Sequence, residues 1–493
     1  MNERVKSMYK HGAFAEIMAT KDFIPSKDVG TLPVYFGTLP IHQKMNYEGL
    51  VNKPILISSF KEAQTKVGYS DHWEDFTLCE AIYAHFKNNI KPIGPIILIN
   101  VLDPKVHLLK ARSATVKTET VTLTNGIGFI PTYKGILNTV AIDSKVLGED
   151  FKVEYTPDGE RIQLTDLKDG LGASVEVTFN EVAPATVTQA EVIGGTSSEG
   201  HKTGISVLDL VYQNHNMIPT LLCSPKWSKV PAVDTALKAA SQKINGHWYA
   251  FVNSDIESST AKTIDKAKTA KAETGYTSSY EAPCWPMAKN GEGKLFHLST
   301  LATVTMQWVD YENDNVPHET PSNKPIDMIG LVLEDGTTIE YDQIQANELN
   351  SKGIRTATYW GGRWVLWGGH TGEYEYGKDM DKRNVFDCSV RMLQYIANTF
   401  QSRYGNLVDR PMNRAMVDTI LNDMQEWLDG LMAQGKILHG LIGFEEASNP
   451  TSDTIEGDFV FDIATTTTPP GKSLTAKICY TSKGLNVLFG GEQ

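Results

Sequence analysis

A set of short, almost wholly apolar runs that alternate with amphipathic helices constrains the fold of this 493-residue chain most. The first runs flank a predicted helix from about His72 to Asn88, in which apolar residues recur every three or four positions. Strands that are apolar throughout are typical of a sheet covered by helices on both faces. The alternation resumes at about residue 204, so the sequence predicts one α/β sheet built from two stretches of chain. The predicted strands are 33–37, 54–57, 95–101, 220–223 and 248–252, and the later predicted helices are 204–217 and 230–244.

A Thr- and Val-rich stretch separates the two halves of this sheet. From about Ser113 to Val192 polar and apolar residues alternate with period two, and Asn125-Gly126 and Pro157-Asp-Gly159 are turn signals between strands. The pattern predicts an all-β domain at 105–194, inserted into an α/β core of residues 31–104 plus 195–353.

The last part of the chain predicts an α+β domain at 354–484. A hairpin turns at Gly361-Gly362, and two helices follow at about 385–404 and 411–428, with Asp409 as a candidate cap for the second. Two strands are predicted after them, at 458–463 and 474–480. An acidic stretch from Asp310 to Pro325 is interpreted as a surface loop.

The two ends of the chain are predicted to be arms that reach another copy. At the C-terminus (485–493) a short alternating strand stops without a partner, and such a strand must borrow an edge elsewhere. The first 30 residues have little periodicity and resemble an extended arm. A head-to-tail contact of this kind generates rings or helical filaments. The candidate inter-subunit residues are Phe14, Ile17, Phe23, Ile24, Leu485, Val487 and Phe489, and the candidate acceptor strands carry Phe459, Phe461, Ile463, Leu474, Ile478 and Tyr480.

Composition argues against several classes of protein. The formal net charge of -13, with no run of Lys or Arg, disfavours a nucleic-acid binder. No apolar run approaches the ~18 residues that cross a bilayer, and the first residues are polar, so we expect no membrane insertion and a cytosolic origin. Five dispersed cysteines without a C-x-x-C pair favour buried free thiols over disulfides or zinc.

Motifs that would indicate enzymatic chemistry are weak. Gly195-Thr-Ser197 has the order of a subtilisin-type serine, but the other parts of that motif are missing, and a linker is the favoured interpretation. The G-x-S-x-G elbow of α/β-hydrolases does not occur. Gly471-Lys-Ser473 ends like a phosphate loop but lacks the earlier glycine. We therefore expect no catalytic residues and no cofactor.

Two further clusters have a structural and a functional interpretation. Asp310, Glu312 and Asp314 have the odd-position spacing of a calcium loop, but neither the required glycine nor the closing glutamate follows, so a solvated acidic loop is favoured over weak cation binding. The aromatic residues between Tyr359 and Trp367 favour a packed hairpin over a stacking platform for a sugar or a base. Neither cluster predicts a metal site.

Five segments together resemble the contractile-tail sheath proteins of bacteriophages and of phage-derived (R-type) bacteriocins. The resemblance covers nearly the whole chain, and it depends on the order and spacing of the segments more than on any one of them. They are 31–41, 73–86, 96–104, 364–371 and 384–393.

The resemblance implies a subtilisin-like α/β sheath core without a triad, joined to an inserted domain and to a C-terminal domain with extended arms. It implies a subunit that forms stacked hexameric rings around a tail tube, with baseplate and tail terminator proteins as partners, in a phage virion or a bacteriocin particle assembled in the host cytoplasm. Where sheath proteins commonly have Ala-Arg-Thr, this chain has Gly369-His370-Thr371, so a contact made by that arginine is in question.

Three acidic residues of the second C-terminal helix are candidates to face the tube, with a solvated helix face as the equal alternative: Asp418, Asp423 and Glu426. Two other classes of protein stay open from the sequence. An α/β hydrolase-type enzyme would need a pocket with convergent titratable groups. A capsid or surface-layer subunit would form shells or sheets instead of tubes.

Overall fold

The structure, a computed structural model, describes residues 30–109 and 116–489. It begins with the first half of the predicted α/β core. Ser59 caps the first helix by accepting a hydrogen bond from Glu62 N at 3.2 Å. The second helix begins at Leu78 and not near His72, because residues before Leu78 form turns. The elements are β1 (Pro33–Gly37), β2 (Pro54–Ile57), α1 (Phe60–Lys66), α2 (Leu78–Phe86) and β3 (Ile96–Asn100).

The Thr- and Val-rich stretch forms strands, as its period predicts. Two of them pair antiparallel from Val116 opposite Asn180 to Thr122 opposite Ser174, and three others form a second sheet in the order β5-β7-β6. Their inward-facing residues, among them Phe151, Ile162 and Phe179, make a hydrophobic cluster of their own. The strands are β4 (Val116–Thr122), β5 (Ile127–Ile130), β6 (Phe151–Tyr155), β7 (Ile162–Asp166) and β8 (Ser174–Asn180).

The chain then returns to the α/β core through a tight crossing. Gly194 has a φ of +63°, and a Cβ built there would lie 2.0 Å from the carbonyl oxygen of Thr203, so only glycine fits. The elements that follow are α3 (Gln189–Ile193), β9 (Gly195–Thr196), β10 (Lys202–Thr203), α4 (Val211–His215), β11 (Leu221–Cys223), α5 (Pro231–Ala240), β12 (Phe251–Asp255), α6 (Ile264–Thr274), β13 (Glu281–Cys284), β14 (Met287–Lys289), β15 (Leu295–Phe296), α7 (Leu298–Glu312), β16 (Gly330–Val332), β17 (Thr338–Ile339) and α8 (Gln343–Asn350).

A mixed sheet organises the core, in the order β13-β12-β11-β1-β3-β2. Its strands are parallel except β2, which is antiparallel to β3. As the sequence predicts, both halves of the chain contribute, and the strands β1, β3, β11 and β12 are buried along their whole length. The chain is thus mixed α/β with several sheets.

Helix α7 was not predicted from the sequence. Every residue from Leu298 to Asp310 is buried, so the helix has no polar face that would reveal its period. The interpretation of residues from Asp310 onward as a surface loop is wrong at its start, because Asp310 lies in this helix and is buried. The helix packs against β12, β11 and α2.

The C-terminal part begins with the predicted hairpin and the two predicted helices. Asn413 caps the second helix by accepting from Met416 N at 3.0 Å, so the proposed cap at Asp409 is wrong. The elements are β18 (Thr356–Trp360), β19 (Arg363–Trp367), α9 (Asp387–Tyr404), α10 (Arg414–Ala433), β20 (Ile437–Gly443), α11 (Thr451–Glu456) and β21 (Asp462–Thr467). Several of its apolar side chains, including Met392 and Met424, belong to the same hydrophobic cluster as the α/β core.

The strands predicted near the C-terminus differ from those observed. The strand predicted at 458–463 begins only at Asp462, so Phe459 and Phe461 precede it while Ile463 lies in it. Its partner is β20, which the sequence analysis missed. The strand predicted to carry Leu474, Ile478 and Tyr480 is wrong, because residues 468–481 have no regular secondary structure.

The final predicted strand is not formed in the protomer. Leu485, Val487 and Phe489 lie in a 3₁₀-helix, Lys483–Phe489. A strand without a partner leaves its backbone groups unpaired, whereas a helical turn satisfies some of them locally, as in the 3.0 Å bond from Leu485 N to Ser482 O. The candidate residues of the N-terminal arm, Phe14, Ile17, Phe23 and Ile24, lie outside the described residues.

Candidate assembly surfaces

Strands β20 and β21 pair antiparallel and are joined by residues 444–461, which include α11; we call this two-stranded sheet the C-terminal hairpin. Its register runs from Ile437 opposite Thr467 to Gly443 opposite Asp462. Within the described residues neither outer edge has a partner strand. Unpaired edges of this kind are templates for strands from another chain.

Helix α10 holds the C-terminal hairpin from one face. Gln425 Nε2 donates to Gly440 O at 3.0 Å, and Gln425 Oε1 accepts from Ile442 N at 3.1 Å. A Cβ at Gly440 would lie 3.1 Å from Leu428 Cβ, so the close approach of strand and helix depends on this glycine. The hairpin therefore has a fixed orientation on the helix, while Leu438 and Leu441 stay exposed.

Residues 468–489, the C-terminal segment, carry large apolar side chains that the protomer does not cover. Leu474 is 92% exposed, Ile478 93% and Tyr480 88%. Burying a Leu or Ile side chain contributes about 1.5–3 kcal/mol. Large exposed apolar side chains that lie close together are typical of an interaction site. Leu474, Ile478 and Tyr480 lie within seven residues, so the C-terminal segment is a candidate for such a site.

The charges of the C-terminal segment complement those of the region that precedes it. Residues 405–467 contain eleven Asp or Glu and three Lys or Arg, whereas residues 468–489 contain three lysines and no acidic residue. Opposite charge favours the docking of one surface on the other and speeds their encounter. The segment of one copy thus suits the hairpin region of another both in its backbone and in its charge.

The three acidic candidates for tube contact lie on α10 in different settings. Asp418 pairs with Arg414 at 2.9 Å on an exposed face. Asp423 accepts a 2.6 Å hydrogen bond from Tyr404 OH; burial and then this carboxylate raise the pKa of the tyrosine. Glu426 is exposed. Their contact with a tube stays a prediction.

Buried ion pairs fasten helix α9 to the α/β core. Arg355 donates to Asp387 and, at 2.9 Å, to Asn253 Oδ1, and both charged side chains are fully buried. Burial raises the pKa of Asp387, and Arg355 opposes that rise. A buried pair of this kind is costly to break, because the remaining charge has no water to solvate it.

The acidic triplet with calcium-loop spacing is engaged by cations of the protein itself. Asp310 binds Arg391, and burial raises the pKa of Asp310 while that arginine opposes the rise. Glu312 lies 2.5 Å from Lys91 Nζ, and Asp314 lies 3.0 Å from Lys436 Nζ. The three carboxylates thus point to three different parts of the chain. Within the described residues, no group of three or more His, Cys, Asp or Glu is placed to hold a metal ion.

A buried polar cluster lies at the carboxyl edge of the sheet, where α/β enzymes bind ligands. Asp255 accepts hydrogen bonds from Ser299 Oγ and, at 3.1 Å, from Ser228 Oγ. His297 Nδ1 lies 2.7 Å from Glu80 Oε2 instead. Burial alone would lower the pKa of His297, but Glu80 raises it to about 9. Different carboxylates hold the serine and the histidine, and both are buried, so the cluster serves packing at the start of α7.

The other short motifs lie in settings without the geometry of their chemistry. Ser197 follows the short strand β9, which pairs with β10, and its neighbourhood is exposed. Lys472 and Ser473 lie in the extended part of the C-terminal segment and not before a helix. Tyr359 and Trp360 are exposed at the tip of the β18–β19 hairpin, so the packed interpretation holds only for its inner half. Of the helices in the two described ranges, none combines the length and apolar character needed to cross a bilayer.

Known proteins of one kind match this chain along most of its length. It is 24% identical over 488 residues to the tail sheath protein of Burkholderia phage BcepMu, covering 94% of this chain and 97% of that protein. It is 23% identical over 309 residues to the major tail sheath protein of Serratia phage KSP20, covering 61% of this chain and 74% of that protein. The resemblance to contractile-tail sheath proteins is confirmed. No protein-family model matches the chain.

Solved structures agree at the level of the sheath-protein fold. A chain of the six-fold symmetrised baseplate of the anti-feeding prophage superimposes with a TM-score of 0.55 at 14% identity, covering 96% of this chain and 99% of that one. A chain of the sheath complex of the extracellular contractile injection system PVC, in its contracted state, gives 0.54 at 12%, covering 97% and 99%. At these identities the likeness shows the fold alone.

Two features of the candidate assembly surface could not be predicted from the sequence. Strand β20 reads Ile-Leu-His-Gly-Leu-Ile-Gly, and its two glycines and missing alternation hide it. Nothing in the sequence around Lys436, which precedes β20, predicts its ion pair with Asp314. The apolar residues at 437–438 and 441–442, placed directly after a helix, were the available sign of a short strand.

Proposed function

We propose that this chain is a structural subunit of a contractile tail sheath. Copies polymerise as stacked hexameric rings around a tail tube, attach to baseplate and tail terminator proteins, and contract to drive the tube through a cell envelope. The sheath belongs to a phage virion or to a bacteriocin particle and is assembled in the host cytoplasm. The relatives that cover most of this chain are tail sheath proteins, which supports a structural and non-enzymatic role.

One observation carries the proposal for how copies join. The exposed apolar residues of the C-terminal segment follow directly after a hairpin whose outer edges have no partner strand within the described residues. In a single copy residues 474–480 of the segment form no strand. Strand addition to the hairpin of another copy would pair the backbone of both and bury Leu474, Ile478 and Tyr480.

The terminal arms take part in the same joint. Residues 1–30, with Phe14, Ile17, Phe23 and Ile24, form the second arm of the proposal, and Leu485, Val487 and Phe489 prolong the C-terminal one. On this proposal the 3₁₀-helix Lys483–Phe489 belongs to the dispersed chain. It opens when an edge strand is available to receive it.

The finer architecture is also a proposal. Residues 31–104 and 195–353 form a subtilisin-like core without a triad, 105–194 an inserted domain on the outer surface, and 354–484 a domain that faces the tube. Asp418, Asp423 and Glu426 would then meet a basic surface of the tube. Insertion on the outside is supported by the hydrophobic cluster that the inserted strands form among themselves.

Contraction of the sheath needs no nucleotide hydrolysis if its free energy is stored in the assembly. Each subunit moves as a rigid body about its strand joints, and the contracted lattice gains contacts that the extended one lacks. A gain of ~1–3 kcal/mol per subunit, the scale of a typical coupling free energy, becomes large over a long cylinder.

Two truncations test the proposal. Ending the chain after Thr468 removes residues 469–493, and ending it after Gly484 removes only residues 485–493. The first chain should stay folded, by circular dichroism, and fail to form cylinders in negative-stain microscopy. The second should form fewer cylinders. Normal cylinders from the chain that ends after Thr468 would contradict the proposal.

A further inference from the structure

The C-terminal end of α7 contacts helix α9 and two parts of the chain that the proposed assembly uses, the root of the N-terminal arm and the C-terminal hairpin. The helix itself is buried from Leu298 to Asp310 and packs against the central sheet, so it is a rigid part of the α/β core. Its last turn and the loop after it carry Asp310 and Asp314. We call these two residues and their partners the α7 junction.

Asp310 ties the root of the N-terminal arm to helix α9. Arg391 on α9 donates to both carboxylate oxygens of Asp310, with Nη1 3.3 Å from Oδ1. Thr31 Oγ1 donates to Oδ2 of the same carboxylate at 2.5 Å. Thr31 is the residue after Gly30, the first described residue, and both charged side chains are buried.

Asp314 ties the C-terminal hairpin to the same place. Lys436 Nζ lies 3.0 Å from Asp314 Oδ2 and donates to Asn313 O at 3.0 Å. Lys436 immediately precedes β20 and is 6% exposed, while the side chain of Asp314 is 86% exposed. A buried ammonium group held at two oxygens fixes the first residue of the hairpin relative to α7.

We propose that the α7 junction couples the two connections that a subunit makes to its neighbours, with Lys436 and Arg391 as positioning residues for assembly. This inference rests on the proposed function. A load on the N-terminal arm enters the protomer at Thr31, and a load from a docked neighbour enters it at β20. The first load reaches the last turn of α7 at Asp310, and the second reaches the loop directly after it at Asn313 and Asp314, so the hairpin and the arm root keep one relative position in every copy.

The test uses the full-length chain with Lys436→Met. Methionine keeps the length and the apolar part of the side chain and removes the ammonium group. Lys105→Met is the matched control, because Lys105 also pairs with a carboxylate, Glu48 at 3.4 Å, but both of these side chains are exposed. The critical concentration for cylinder formation should rise about 5-fold or more for Lys436→Met, the lower end of typical coupling effects, and stay unchanged for the control.

A second readout separates positioning from simple destabilisation. Cylinders of Lys436→Met should show a wider spread of helical twist and rise in cryo-microscopy than cylinders of wild type and of Lys105→Met. Lys436→Arg, which keeps the charge, should restore both the critical concentration and the order. A lower melting temperature with unchanged assembly and order would show a merely structural role and overturn the inference.

Asp314→Asn keeps the inference falsifiable if Lys436→Met does not fold. The side chain of Asp314 is exposed, so its change leaves folding intact while it weakens the same tie. Wild-type assembly and order in this variant would then overturn the inference. Failure of the proposed function is a different result, namely that the wild-type chain forms no cylinders at all.

Discussion

Replacing Ile478 by alanine tests the role of the C-terminal segment quantitatively. The side chain is 93% exposed in the protomer, so its truncation should leave the free energy of unfolding of the dispersed chain unchanged. In a docked strand the side chain would be buried. Alanine lacks three of its carbons, which at about 0.8 kcal/mol per buried CH₂ costs up to about 2.4 kcal/mol per joint.

This cost appears as a shift in the critical concentration for assembly. Since each 1.4 kcal/mol is tenfold, half to full burial predicts a rise of roughly 7- to 50-fold. Sedimentation of cylinders over a concentration series measures it. Ile455→Ala is the matched control, because that isoleucine is 80% exposed on α11, outside the segment, and should shift the value less than about twofold. Equal critical concentrations for the two variants would refute the reasoning.

Three further predictions concern stability and salt. Glu80 raises the pKa of His297 to about 9, whereas the pKa in the unfolded chain is near 6.5, so the protonated histidine stabilises the fold fully below pH 6.5. Raising the pH from 6.5 to 9 should therefore remove up to about 3 kcal/mol from the free energy of unfolding, at about 1.36 kcal/mol per pKa unit. Urea titrations of Glu80→Gln should show no such fall of the free energy of unfolding with pH. Asp387→Asn should lower the free energy of unfolding by about 3–5 kcal/mol, because it leaves the buried charge of Arg355 unpaired. Asp381→Asn, at an exposed ion pair, should lower it by less than about 0.5 kcal/mol. Equal urea midpoints for the two variants would contradict the prediction. Added NaCl should raise the critical concentration for assembly, and changing the three lysines of the C-terminal segment to glutamine should flatten that dependence; an unchanged salt slope would remove the electrostatic argument.

The sequence predicted the elements whose pattern is local. The apolar strands of the central sheet, the hairpin around Gly361-Gly362 and helix α9 follow from periodicity and turn chemistry alone. Helix α7 did not, because burial on all sides removes the polar face on which the prediction depends. Strand β20 did not either, since its place is set by α10 and β21.

The candidate site could be predicted only in outline. The apolar alternation from Leu474 to Tyr480 predicted a strand, yet the protomer leaves these residues unpaired and exposed. Alternation shows that a segment can form a strand but not which chain supplies its partner. The junction at Asp310 and Asp314 joins residues that are far apart in sequence, so the spacing of the acids alone suggested a cation site.

Hydrogen exchange at the backbone amides of residues 474–480 tests most directly whether one copy completes the sheet of another. These residues have no regular secondary structure in the protomer, so their amides should exchange rapidly in the dispersed chain. In assembled cylinders, mass spectrometry should find them protected to the level of β20 and β21. Equally rapid exchange of 474–480 in cylinders and in the dispersed chain would contradict strand donation.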